Sequence, residues 1–250
     1  MRTQTERIEE LRSWLDGKAY VYIDYANVRT KCEKKGWMLD TYKTWRLFNT
    51  LGIPSIKFYF GKIIGNRKSE GFHALLRKIG FEIITKPVKF MKLSIDVSGI
   101  PKDSPSVIKN FVEPCLLRKL TVEAIEQLNE QLRKMNESGL KYVEMMKCNF
   151  DVEIAADMLL DNELHGVDTF CLWTGDSDFA GPILRLLNEK KRVIVFSDGV
   201  APELDDLRPD GVRIYDIKKL KDIVGYEKQK GLSLESPSAK IVGSCDHPAC

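Results

Sequence analysis

The chain has 250 residues, 43% of them hydrophobic, enough to bury a sizeable core as one large α/β domain or as one domain carrying an insertion. Lysine and arginine total 39 against 36 acidic residues, so the net charge of +3 does not by itself announce a polyanionic partner, and any basic surface must be local. No run approaches the roughly 20 apolar residues of a membrane span, the first residues lack the apolar stretch of a signal peptide, and the six cysteines are scattered, so a soluble, cytoplasmic protein with reduced thiols is expected.

Residues 3–15 carry Ile8, Leu11 and Leu15 at helical spacing, which predicts a short amphipathic helix within an N-terminal segment of residues 1–18. Residues 19–24 read as a first buried strand, followed by a turn at Tyr25-Ala-Asn27, and residues 38–51 as a helix stopped by Gly52 and Pro54. A second strand (55–60), a helix (70–79) and a third strand (81–85) follow, and this alternation predicts a mostly parallel sheet. The rhythm breaks at Lys86. Pro87, Gly99, Pro101, Pro105 and Pro114 punctuate a stretch without period, so a helical insertion is expected over about 86–146, with residues 96–110 dispensable to the core. Inside it, Val122, Ile125, Leu128, Leu132 and Met135 form one helical stripe behind a start at Thr121, either packing on the sheet or serving as a dimerising arm. The βα pattern resumes with a helix over 152–162 and the apolar run Thr169 to Trp173, which lacks polar alternation, as in a parallel strand covered on both faces. A helix over 179–189, a strand over 192–197 and an edge strand over 212–217 complete a domain spanning 19–217, and residues 218–250 are expected to form a basic, then flexible tail. Cys245, His247 and Cys250 offer three zinc-type ligands without a fourth, and read as part of that tail.

Three segments deliver carboxylates toward one edge of such a sheet: Asp24 with Asn27, Asp151, and Asp176 with Asp178. With the strands in an order near 3-2-1-4-5, the first and fourth are neighbours at the switch point, where ligands of open α/β sheets bind at the carboxyl ends. Carboxylates within a few ångströms of one another repel unless protons or a cation are present, and all-oxygen donors favour Mg2+ or Mn2+. A site of this kind suits phosphodiester hydrolysis by metal-activated water, with no side-chain nucleophile. The plainer reading is that an Asp at a strand end only caps a helix, which applies to Asp151 and Asp178, while Asp157 and Asp161 read as solvated helix positions.

Tyr22-Ile-Asp24-Tyr-Ala-Asn27, Lys147-Cys-Asn-Phe-Asp151-Val-Glu-Ile-Ala-Ala-Asp157-Met and Thr174-Gly-Asp176-Ser-Asp178-Phe resemble, in order, the signature segments of the NYN domain family, PIN-like nucleases that include the LabA-like proteins. The resemblance implies a Rossmann-like three-layer sandwich. It also implies a catalytic set of Asp24, Asn27, Asp151, Asp176 and Asp178, in which Asp24, Asp151, Asp176 and Asp178 bind the metal, with Asp157 as a further acid, and RNA as substrate rather than DNA. Cys148-Asn-Phe150 departs from the pattern, since LabA-like members usually carry Gly before a small apolar residue, and so does the long insertion. Lys62, Arg67 and Lys68 after the second strand, and Lys86, Lys89 and Lys92 after the third, suggest a phosphate-tracking groove with Phe90 available to stack on a base. Two other functions remain open: a nucleic-acid-binding or partner-binding module with little turnover, whose insertion makes a protein or homo-oligomer contact, and an aspartyl phosphotransferase using Asp24, disfavoured because Ala26 stands where that chemistry needs a second acid.

Overall fold

The structure, a computed structural model, describes residues 3–199 and 201–227. The chain divides into two compact units, residues 1–87 with 148–250, and residues 88–147. In the first, α1 (Gln4–Trp14) begins in a capping box between Thr3 and Glu6, and β1 (Ala19–Asp24) runs straight into α2 (Tyr25–Lys34). The expected turn after Asp24 is therefore the first turn of a helix, and the expected helix from 38 begins later: β2 (Trp37–Leu39) precedes α3 (Thr41–Thr50), which Asp40 caps. Next come β3 (Ser55–Tyr59), α4 (Arg67–Ile79) and β4 (Glu82–Ile84).

The second unit contains β5 (Lys89–Ser94), α5 (Pro114–Leu117), α6 (Val122–Glu137) and β6 (Tyr142–Lys147). Strands β5 and β6 form an antiparallel ribbon that alternation in the sequence does not announce, because both of its faces carry a mixture of apolar and charged residues. The stretch 96–110 is packed within the second unit. Val97, Val107 and Ile108 are buried, and two asparagines of α6 fasten the segment. Asn129 Nδ2 donates to the carbonyls of Lys102 and Ser104, and Asn136 accepts from Val97 N–H (2.9 Å) and donates to the Ile95 and Leu140 carbonyls. Side-chain amides here replace the periodic backbone pairing whose absence suggested a loop.

The first unit resumes with α7 (Asp151–His165), β7 (Thr169–Trp173), α8 (Ala180–Asn188), β8 (Arg192–Ser197), α9 (Pro202–Asp205), β9 (Arg213–Asp216), α10 (Lys221–Val224) and β10 (Gly225–Glu227). Its central sheet runs β4-β3-β1-β7-β8-β9 with every pairing parallel, the expected 3-2-1-4-5 order extended by the edge strand. Alternate side chains feed two cores, which is why the strands read as unbroken apolar runs. Val21, Ile23, Cys171 and Trp173 join α1 to α4 on one face, and Tyr22, Phe170 and Leu172 join Ile154, Met158 and Ile183 of α7 and α8 on the other. Residues 218–227 belong to this unit rather than to a tail: β10 pairs antiparallel with β2, and Leu220 and Val224 are buried. The Cys245, His247 and Cys250 cluster lies outside the described residues. Cys32, Cys115 and Cys171 are free thiols, and among the described residues no helix is long and apolar enough to cross a membrane.

Candidate functional site

Register alone brings the acidic segments to one edge. Ile23 pairs with Trp173 and Trp173 with Phe196, so Asp24, Thr174 and Ser197 all leave the sheet at its carboxyl end. Asp24 is buried and caps α2, its carboxylate accepting from Asn27 N–H at 3.2 Å. Burial pushes its carboxyl up to about 6; the charges of Asp151 and Asp176 push the same way, against the hydrogen bonds from Asn27 and Ala26 N–H. Asp151, the first residue of α7, is also raised, chiefly by burial; the Asn149 side chain opposes this, and Asp176, Asp178 and Glu153 add to it. Asp176 accepts from Asp178 N–H at 3.3 Å, and Asp178 is exposed.

The capping expectation is thus inverted. Asp24 and Asp176 cap, whereas the start of α7 is satisfied by Asn149, whose Oδ1 accepts from Asp151 N–H at 2.7 Å, leaving the Asp151 carboxylate uncommitted to its own helix. Asn27 Oδ1 and Thr174 Oγ1 are buried without a partner, and an orphaned acceptor beside carboxylates suits a cation. Among the described residues, however, no three His, Cys, Asp or Glu side chains stand close enough together to ligate one ion.

Lys31 was not legible as a site residue, although it lies one turn beyond Asn27 on the same face of α2. Its ammonium reaches Gly175: a Cβ there would collide with Lys31 Nζ and Ser197 Oγ and lie 2.8 Å from the Gly199 carbonyl, so the close approach requires glycine. Burial lowers the Lys31 pKa, while Asp176 and Asp24 hold it up. The signal was present in the spacing Asp24, Asn27, Lys31, but only once α2 is known to be a helix.

Asp157 stands apart from this set. It accepts from Tyr59 OH at 2.7 Å and lies 3.8 Å from Lys57, whose ammonium is 2.7 Å from the buried Asp161; Asp161 in turn accepts from Tyr22 OH at 2.7 Å. Neither acid is a freely solvated helix position. Among the basic residues, Lys62 pairs with Glu70 at 3.4 Å, and Lys86 is hydrogen-bonded to Glu153 with its ammonium 4.8 Å from the Phe150 ring centroid. Arg67 and Lys68 are exposed at the start of α4, whereas Lys89 and Lys92 are exposed on β5 in the other unit.

The NYN domain model matches residues 102–208, a stretch that contains Asp151, Asp176 and Asp178 and stops short of Asp24 and Asn27. No curated protein matches the chain. The fold is similar to the crystal structure of a protein of unknown function from Vibrio parahaemolyticus, with a TM-score of 0.50 and 19% identity over 85% of this chain and 100% of that one, a likeness of fold alone. With a six-stranded parallel sheet flanked by helices and the acidic segments at its carboxyl edge, the NYN match is consistent with the NYN family of PIN-like nucleases.

Proposed function

We propose that the protein is a metal-dependent nuclease that hydrolyses phosphodiester bonds, of RNA rather than DNA, with Asp24, Asp151, Asp176 and Asp178 holding Mg2+ or Mn2+ and Asn27 beside them. The observation that carries this reading is the raised carboxyls of Asp24 and Asp151, each acted on by Asp176, next to the unpartnered Asn27 Oδ1. An all-oxygen donor set of this kind suits a hard divalent ion, which would supply Lewis acidity at phosphorus. Asp24 and Asp176 are aimed by the backbone N–H groups they accept from, so their carboxylates are held in position before a substrate arrives. Lys31 brings a positive charge to the same edge, where a phosphate oxygen would meet it. The preference for RNA rests on the family resemblance.

A second reading, a nucleic-acid-binding module with little turnover, is favoured by the wide spacing of the acids, which would have to close on an ion rather than present a finished cage. Incubating purified protein with single-stranded and structured RNA and DNA, in Mn2+ or EDTA, separates the two. Cleavage in Mn2+ that EDTA stops, and that Asp176→Asn abolishes while the fold and nucleic-acid binding persist, is the expected result. Binding without any metal-dependent cleavage would establish the module instead.

A further inference from the structure

A buried polar cluster lies behind the acidic edge, and the proposed chemistry gives it no part. Tyr22 of β1 and Lys57 of β3 are register partners, and so, two residues nearer the carboxyl edge, are Asp24 and Tyr59. Since side chains alternate along each strand, all four face the layer that holds α7. Tyr59 takes Asp157, and two residues lower on the strands Tyr22 and Lys57 take Asp161. The upper rung meets the earlier acid, so α7 runs against the strands and starts at their carboxyl edge. The spacings match, because two residues of strand rise about 6.6 Å and the four from Asp157 to Asp161 rise about 6 Å of helix. Lys57 joins the two rungs: its ammonium also stands 3.8 Å from Asp157 and 5.8 Å from the Tyr22 ring centroid.

We propose that Tyr22, Lys57, Tyr59, Asp157 and Asp161 are positioning residues, which fix the register of α7 on β1 and β3 and so aim the Asp151 carboxylate at Asp24. Ile154 and Met158 alone would tolerate a slip of the helix, because apolar contact has no direction. The carboxylates do not. Advancing α7 by one residue moves it about 1.5 Å and turns it about 100°, which would take both acids away from Lys57 and the two hydroxyls into an apolar layer, where an unpaired charge is strongly disfavoured. Asp151 precedes Asp157 by about 9 Å of helix, which carries it past the Tyr59 rung toward Asp24, on whose carboxyl its charge acts. Asn149 satisfies the first turn of α7, so the aim of Asp151 is set by the register of the helix. The inference rests on the nuclease reading only in giving Asp151 a metal to hold.

The experiment is calorimetric titration of Mn2+ into the metal-free full chain, below the melting temperature of every variant, with the amide resonances of Asp151 and Val152 followed by NMR in EDTA. Tyr59→Phe and Tyr22→Phe each remove one hydroxyl and keep the buried ring, and Leu47→Ala, a buried side chain of α3 on the other face of the sheet, is the control for lost stability. Each tyrosine variant should bind Mn2+ about tenfold more weakly and shift both amides, whereas the control does neither. Tyrosine variants that bind Mn2+ as the wild type does would overturn the proposal. So would a control that loses as much affinity, because the cluster would then act through stability alone. A wild type that takes up no Mn2+ would sink the metal-dependent reading instead, and the register would be decided by the two amides, which overturn it if Tyr59→Phe leaves them unmoved.

Discussion

Replacing Asp24 by Asn should make the metal-free protein more stable, the reverse of the usual effect of altering a buried residue. Its carboxyl is pushed from the ordinary 3.8 to about 6, mainly by burial and then by Asp151 and Asp176. At about 1.4 kcal/mol per pH unit, ionising it in the folded state costs about 3 kcal/mol at neutral pH. Asparagine caps a helix about as well as aspartate, so the hydrogen bond to Asn27 N–H is kept and little is lost there. For a chain of this length about 2–4 °C of melting temperature follows each kcal/mol, which makes a rise of up to about 10 °C the expected ceiling.

The pH dependence has a definite sign. An acid whose folded pKa is raised holds its proton longer in the native state, so its contribution is fully present below the ordinary 3.8 and lost as pH rises through about 6. Wild type and Asp24→Asn should therefore converge near pH 4, separate between pH 4 and 6, and stay apart above. Asp96 and Asp222, whose carboxyls are lowered by their hydrogen-bond partners, weaken both proteins equally in acid and cancel in the difference. A cation binding only the folded wild type at a hundredfold excess over Kd would restore about 2.7 kcal/mol, so added Mn2+ should close the gap. Thermal melts of both proteins at pH 4, 5, 6 and 7.5, in EDTA and in Mn2+, measure all of this. A variant no more stable than wild type at pH 7.5, or a difference that does not shrink toward pH 4, would refute the raised carboxyl of Asp24.

Reversing the charge of Lys89 and Lys92 should weaken nucleic-acid binding and flatten its salt dependence, because phosphate contacts are lost; an unchanged slope would put the phosphate path elsewhere. Asn136→Ala should destabilise the second unit by about 1–3 kcal/mol, measured by urea unfolding, since it leaves the Val97 N–H and the Ile95 carbonyl unpaired; a neutral result would mean that residues 95–97 are held by other groups.

Much of the first unit was legible in the sequence because its strands are buried on both faces. Apolar runs such as Thr169 to Trp173 report burial directly, and their alternation with helices leaves few topologies, so the parallel sheet and the edge at which Asp24, Asp151, Asp176 and Asp178 emerge could be read without coordinates. The second unit was hidden for the opposite reason. The β5 and β6 ribbon mixes lysine with methionine on both faces, and the stretch from Ile95 to Ile108 is bound by Asn129 and Asn136 side chains, which leave no period in the chain. Side-chain commitments were likewise decided only in three dimensions. Nothing local tells that Asp157 is taken by Tyr59, that Lys86 is taken by Glu153, or that Lys31 reaches Gly175. A strand's burial is written in its own residues, whereas the partner of a charge is set by whichever distant segment folding brings beside it.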